Sequence, residues 1–307
     1  MKWTAAQVPD MSGRTFVVTG ANSGLGLAAT RALAQHGARV VMAVRSLNKG
    51  HEAAARIHDE QPRARLEVRD LDLADLESVR GFAVALHADG VPVDVLINNA
   101  GVMAPPHSLS PQGFESQFAA GHLGHFALTG LLLRTLSTGR DPRVVTVSSM
   151  MHRGGRIHFD DLNGTRHYAP QEFYQQAKFA QTVFALELHR RLGAAGSPVR
   201  SLLAHPGYTA TNLATTGPRG LPRLAGRIGN RLLAQNVTMG VLPQLYASTA
   251  FDARGGQFYG PDGLREMRGH PTPVKPDPAA EDPTTAQRLW ELSESLTGIR
   301  YNLSAPA

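Results

Sequence analysis

Tyr174 and Lys178 stand four residues apart in a stretch, 171–192, whose spacing predicts a helix. That separation puts both side chains on one face. A phenol with a pKa of about 10 is a poor acid–base group at neutral pH. An ammonium beside it favours the phenolate and is expected to lower that pKa. Ser149 ends an apolar run, 143–147, and offers a hydroxyl that can hold a carbonyl oxygen. Together these are the parts of a proton-transfer site for a carbonyl or an alcohol.

A second set of residues suits a nucleotide. Gly20-Ala21-Asn22-Ser23-Gly24-Leu25-Gly26 follows the β-branched run 14–19 and opens a helical pattern over 24–36. Glycines in that place make a tight turn and let a pyrophosphate approach backbone N–H groups at a helix N-terminus. The next strand pattern, 38–44, leads into Arg45, with Lys49 following and no acid between Gly37 and Gly50. An acid there would hold a ribose 2′-hydroxyl, whereas an Arg accommodates a 2′-phosphate, so NADP(H) is the expected cofactor. Asp72-Leu73 and Asn98-Asn99-Ala100-Gly101 follow the next two strand patterns, where a carboxylate can accept from an adenine amine and small residues can pack on a nucleotide.

These groups need a scaffold that brings strand ends together. Strands are expected at 14–19, 38–44, 64–69, 93–97, 143–147, 199–204 and 257–259. Helices are expected at 24–36, 48–60, 75–88, 110–137, 171–192, 236–250 and 284–296, with Ser110-Pro111 as cap and first turn of the long one. Continuous apolar strands alternating with helices predict an α/β Rossmann fold. It is a doubly wound parallel sheet of about seven strands, with ligands at the carboxyl ends. No linker divides the chain, so 1–307 reads as a single domain, with a substrate loop at about 206–235 and a C-terminal extension at 260–307 broken by six prolines before its helix.

Composition removes other classes. With 42% hydrophobic residues among 307, the chain is not disordered; with no Cys it has no disulfide, Cys-zinc site or thiolate nucleophile. Apolar runs are too short for a bilayer span, and the N-terminus lacks a secretory core, so a cytoplasmic location is expected. The net charge is +6, but the basic residues are scattered outside one segment, and nucleic acid is not an expected partner. Of 31 basic residues only Lys2, Lys49, Lys178 and Lys275 are lysines. Arg cannot replace a Lys that must approach a neutral pKa, which makes each of the four a candidate.

Six segments together resemble the short-chain dehydrogenase/reductase family, in the branch of retinol dehydrogenases and light-dependent protochlorophyllide reductases. They are TGANSGLG (19–26), NNAG (98–101), GHLGHFALT (121–129), VSS (147–149), YQQAK (174–178) and HPGYTAT (205–211). The resemblance implies that Tyr174 passes the proton, Lys178 binds the nicotinamide ribose and depresses the Tyr174 pKa, and Ser149 holds the carbonyl oxygen. It implies that Pro206, Gly207, Thr209 and Thr211 line the nicotinamide end. Ser148, Met150, Met151, Phe173 and Tyr208 would flank a substrate pocket.

One position departs from the family pattern. Where the family carries a catalytic Asn that anchors a water beside the Lys, this chain has Gly121. Either a water or a neighbouring group stands in, or the relay is impaired, or the chemistry has drifted. His122 and His125 are read as packing residues, and with no third ligand nearby no metal is expected. Further along, Arg219, Arg223, Arg227 and Arg231 recur every four residues with apolar residues between them. They read as a solvated face on a lid, as a site for an acidic substrate, or as a weak contact with a membrane surface supplying a lipophilic substrate.

The expected function is hydride transfer between NADP(H) and a ketone, aldehyde or secondary alcohol, bulky and apolar. The alternatives are a non-redox isomerase or lyase on the same scaffold, kept open by Gly121, and a non-catalytic NADP(H)-binding protein. A homo-oligomer is also left open.

Overall fold

The computed structural model describes residues 2–90, 92–209 and 235–303. Eight strands form one sheet: β1 (Thr15–Thr19), β2 (Arg39–Val44), β3 (Arg65–Asp70), β4 (Val95–Asn98), β5 (Arg143–Val147), β6 (Arg200–Ala204), β7 (Phe258–Pro261) and β8 (Pro271–Val274). Their order is β3-β2-β1-β4-β5-β6-β7-β8. The first seven run parallel, and β8 returns antiparallel on β7, with Tyr259 opposite Pro273. The chain therefore reverses direction of winding between β1 and β4, and a crevice opens at the carboxyl ends there.

Strands β1 and β5 are buried along their whole length, because helices cover both faces. On one face lie α1 (Gly24–Gln35) and α2 (Leu47–Glu60), on the other α3 (Leu76–Ala88), α4 (Gly124–Ser137) and α5 (Pro170–Ala194). The helix α6 (Leu242–Thr249) rejoins the first face, and α7 (Pro283–Thr297) packs across α5 and α4. Ser149 is left at the open end of β5.

Three expectations are corrected. The sheet has eight strands rather than about seven, because the proline-rich segment after Gly260 contains β8. The long helix starts six residues later than Ser110. Residues 110–115 form a loop in which Ser110 Oγ accepts from Phe114 N–H, and the buried Glu115 carboxylate accepts from Gln117 and Phe118 N–H at 3.0 and 2.8 Å. Glu115 thus caps the first turn, Ser116–Phe118. The helix at 236–250 is two pieces, Val237–Gly240 and α6, meeting at Val241. Between Ser116–Phe118 and α4 the backbone passes through a π-helical turn, Ala119–Leu123, centred on Gly121. Such turns take backbone groups off the regular i→i+4 ladder.

Candidate active site

A cleft of about 600 Å³ lies over the carboxyl ends of β1 to β4. Its walls include Gly20, Asn22, Ser23, Gly24, Leu25, Arg45, Lys49, Asp72, Leu73, Asn99, Ala100 and Gly101, so most of the residues expected to hold a nucleotide are brought together. Gly20 turns with φ +67°, and a Cβ there would stand 3.1 Å from Ala100. Gly26 has a different place: it lies beneath the loop, where a Cβ would come within 2.4 Å of Gly20 O and 2.6 Å of Asn99 Nδ2. It lets α1 pack against the turn rather than lining the cleft. Arg45 and Lys49 are exposed on the cleft wall past β2.

Ser149, Tyr174 and Lys178 converge beside this cleft, next to its wall residue Gly101. A Cβ on Gly101 would be 3.5 Å from Lys178 Nζ, which marks the junction of the two sites. Ser149 Oγ accepts from Met151 N–H at 3.2 Å, leaving its own proton to donate, and it is hydrogen-bonded to the Tyr174 phenol. Lys178 Nζ lies 5.8 Å from the centre of the Tyr174 ring. Burial pushes the Lys178 ammonium down to about 8. Burial also raises the Tyr174 pKa above its ordinary value, and the Ser149 contact only partly opposes it. The expected lowering of that pKa is not met, because desolvation of a phenolate outweighs its one hydrogen bond.

A residue that the sequence did not single out completes the site. Lys178 Nζ donates to Val147 O at 3.1 Å and to Gln181 Oε1 at 2.8 Å. Gln181 Nε2 in turn donates to Gly121 O at 2.6 Å. That carbonyl also accepts from His125 Nδ1 at 2.9 Å, so His125 Nε2 is the bare nitrogen and accepts from the Thr19 hydroxyl at 2.9 Å. Thr19 Oγ1 accepts from Asn99 and Ala100 N–H, both at 2.9 Å. The neighbouring group beside Gly121 is therefore Gln181. His125 is more than packing, since it is bonded at both nitrogens. Burial holds it neutral, down to about 4. His122 matches its reading, packed among Phe118, Phe126 and Phe184.

On the far side of β5 the arrangement differs from expectation. Ser148 and Phe173 turn into the core. Ser148 Oγ donates to Lys178 O at 3.1 Å, and Phe173 packs on Tyr168 at 4.7 Å. Met150 and Met151 are half-buried and Tyr208 is exposed. Gly207 has φ +63°, and a Cβ would meet Met267 O at 2.5 Å. Pro206 O accepts from Thr209 Oγ1 and Gln235 Nε2, both at 2.6 Å, so Thr209 spends its proton inside the loop. Thr211, Arg219, Arg223, Arg227 and Arg231, with most of the expected substrate loop, lie outside the described residues.

Residues 14–219 match the family model described as short chain dehydrogenase. The chain belongs to the short-chain dehydrogenase family. This short-chain dehydrogenase is 39% identical over 293 residues to retinol dehydrogenase 13 of Homo sapiens, spanning 94% of this chain and 85% of that one. It is 38% identical over 297 residues to polyprenol dehydrogenase of Mus musculus, spanning 95% and 86%. Among solved structures, an uncharacterized protein from Mycobacterium paratuberculosis matches with a TM-score of 0.81 and 46% identity over the whole of both chains. A short chain dehydrogenase from Escherichia coli CFT073, complexed with NADPH, shares the fold at a TM-score of 0.64 and 23% identity, over 82% and 98%. Membership makes the chain a nicotinamide-dependent oxidoreductase. Among the described residues, no helix is long and apolar enough to cross a membrane.

Proposed function

We propose that this short-chain dehydrogenase transfers hydride between NADP(H) and a bulky apolar ketone, aldehyde or secondary alcohol. The observation that carries the reading is the meeting of Ser149, Tyr174 and Lys178, with Lys178 beside Gly101 on the wall of the cleft. The site suits a dinucleotide: Gly20, where a Cβ would crowd Ala100, and Gly24 line the cleft at the start of α1, where a phosphate can approach backbone N–H groups. Gly20 to Leu25 would hold the pyrophosphate, Asp72 and Leu73 the adenine end, and Asn99 to Gly101 with Lys178 the nicotinamide ribose. The bound nicotinamide supplies or accepts the hydride.

The chain's own residues manage the proton. Ser149 donates to the substrate oxygen and holds it beside Tyr174. In reduction Tyr174 gives its phenolic proton to that oxygen; in oxidation it takes it back. Lys178, charged at neutral pH, stabilises the phenolate left behind. Two relatives named for retinol and polyprenol favour an apolar substrate. Gln181 beside Gly121 weakens the case for non-redox chemistry, which rested on an unfilled place there.

The test is NADPH oxidation against a panel of ketones and aldehydes, with product analysis. Redox turnover supports the reading; a product of unchanged oxidation state, or none, sinks it. Coenzyme choice is tested separately through Arg45, an exposed cation with no acid beside it in the sequence. NADPH is expected to bind at least about tenfold more tightly than NADH, a gap of about 1.4 kcal/mol. Arg45→Ala should narrow it, and equal affinities in the unaltered protein would overturn the assignment.

A further inference from the structure

The hydrogen bonds that run from Lys178 through Gln181, Gly121 and His125 to Thr19 are unbroken and buried. Gln181 and His125 are each 1% exposed and Thr19 is fully covered. An amide, an imidazole and a hydroxyl in such a place cost stability unless paired, and here each finds its partner. Their directions are fixed by chemistry. An ammonium only donates and a peptide carbonyl only accepts, so the Gln181 amide must turn its oxygen to Lys178 and its nitrogen to Gly121.

We propose that Gln181 is a positioning residue of this active site: its amide fixes the Lys178 ammonium and, across the Gly121 carbonyl, ties it to the His125–Thr19 arm that holds the coenzyme loop. The proposal rests on the redox reading of the same site, since that reading gives Lys178 its task. The run of bonds is a brace and not a proton path. Donors reach the Gly121 carbonyl from both sides, and a carbonyl has no proton to pass on. Lys178 has three N–H groups, of which two are spent on Val147 O and Gln181 Oε1. Lys178 Nζ also stands 3.5 Å from where a Cβ on Gly101 would lie, at the wall of the cleft.

The titratable groups facing Lys178 are Tyr174 on its own helix and His125 on α4; the end of β5 offers only the Val147 carbonyl. Gln181 Oε1 is therefore the side-chain acceptor whose loss the ammonium should feel. Because the chain has only four lysines, protein grown with 13C-labelled lysine gives four side-chain signals, and Lys178→Arg assigns the relevant one. The titration is read on the full chain without coenzyme or substrate. In Gln181→Leu the Lys178 midpoint should fall by about 1 pH unit, because the charged form loses an acceptor. In Gln181→Glu, nearly the same size, it should rise by about 1 to 3 pH units, because a carboxylate replaces the amide. Thermal melts establish that each variant is folded, and the Glu variant decides if the Leu variant is not. An unmoved midpoint in a folded variant overturns the proposal. No turnover enters this readout. Shifted midpoints in a protein that reduces no carbonyl would sink the redox reading and leave Gln181 in place, while intact turnover with unmoved midpoints would do the reverse.

Discussion

At the scale of single residues, the site is a balance between burial and pairing. Tyr174 is held protonated by desolvation, which suits a proton donor waiting for a carbonyl, and Lys178 is brought by burial to about 8. Removing the phenolic oxygen should then stop the proton step and leave the coenzyme cleft untouched. Tyr174→Phe is expected to lower kcat by about 10²-fold or more, with the coenzyme Kd within about twofold of the original. Turnover assays and a fluorescence titration with NADPH read the two quantities, and unchanged kcat would remove Tyr174 from the mechanism. Residues with a distinctive type and spacing were legible in the sequence: the Tyr-Lys pair, the strand-end Ser149, the glycines and Arg45. Gln181 was not, because a lone Gln inside a helix has no signature. Its role exists only through a contact with Gly121, 60 residues away on another element. The direction of the Tyr174 shift was also hidden, since neither spacing nor residue type reports how dry a side chain will be.

At the scale of elements, the loops on either side of the reacting position are tied to one another by the β7–β8 hairpin. Its tip places Arg265 and Glu266 at φ +51° and +57°, a left-handed conformation that side chains adopt at a cost. Glu266 repays it by receiving Arg153, which follows Ser149, at 2.9 and 3.0 Å, and His205, which follows β6, at 2.9 Å. His205 then accepts from Gly207 N–H at 3.2 Å. The His205 hydrogen bond, opposed by burial and aided by Arg153, lowers the Glu266 pKa below its ordinary 4.5. A carboxylate whose folded pKa is lowered adds stability above its unfolded value and loses it as pH falls through the lowered one. Glu266→Gln should therefore melt below the unaltered protein at pH 7, and the gap should close as pH falls below about 4.5. A gap of constant size down to pH 3 would show that the carboxylate charge is not what holds the hairpin. This tie was illegible beforehand because five prolines between Gly260 and Pro283 mask a strand pattern. The parallel strands other than β3, by contrast, announced themselves through mostly apolar runs that fall within a residue or two of where they lie.

At the scale of the whole molecule, the C-terminal helix α7 covers the outer side of α4 and α5, the helices that themselves cover one face of the sheet. Trp290 packs on Phe126 at 5.2 Å and on Tyr301 at 4.7 Å, under the Arg191 guanidinium at 4.3 Å. Tyr301 fits because Gly130 has no side chain: a Cβ there would lie 2.7 Å from the ring. Trp290→Ala should destabilise the protein by about 3–5 kcal/mol, the range for emptying a large aromatic site. Calorimetric or denaturant unfolding reads it, and a loss below about 1 kcal/mol would mean that α7 is a loose appendage. The opposite margins of the sheet carry a quieter property. At one, β8 reads Pro-Thr-Pro-Val, and its two prolines have no N–H to offer. At the other, β3 carries Arg65, Glu67, Arg69 and Asp70, with Glu67 and Arg69 paired to each other and to Arg39 and Asp89. A stray strand from another molecule would lose half its hydrogen bonds at the first margin and have to displace bound charges at the second. The same residues that finish the sheet thus keep crowded copies of the chain from adding to it, which protects the protein during folding, when its apolar strands are briefly uncovered.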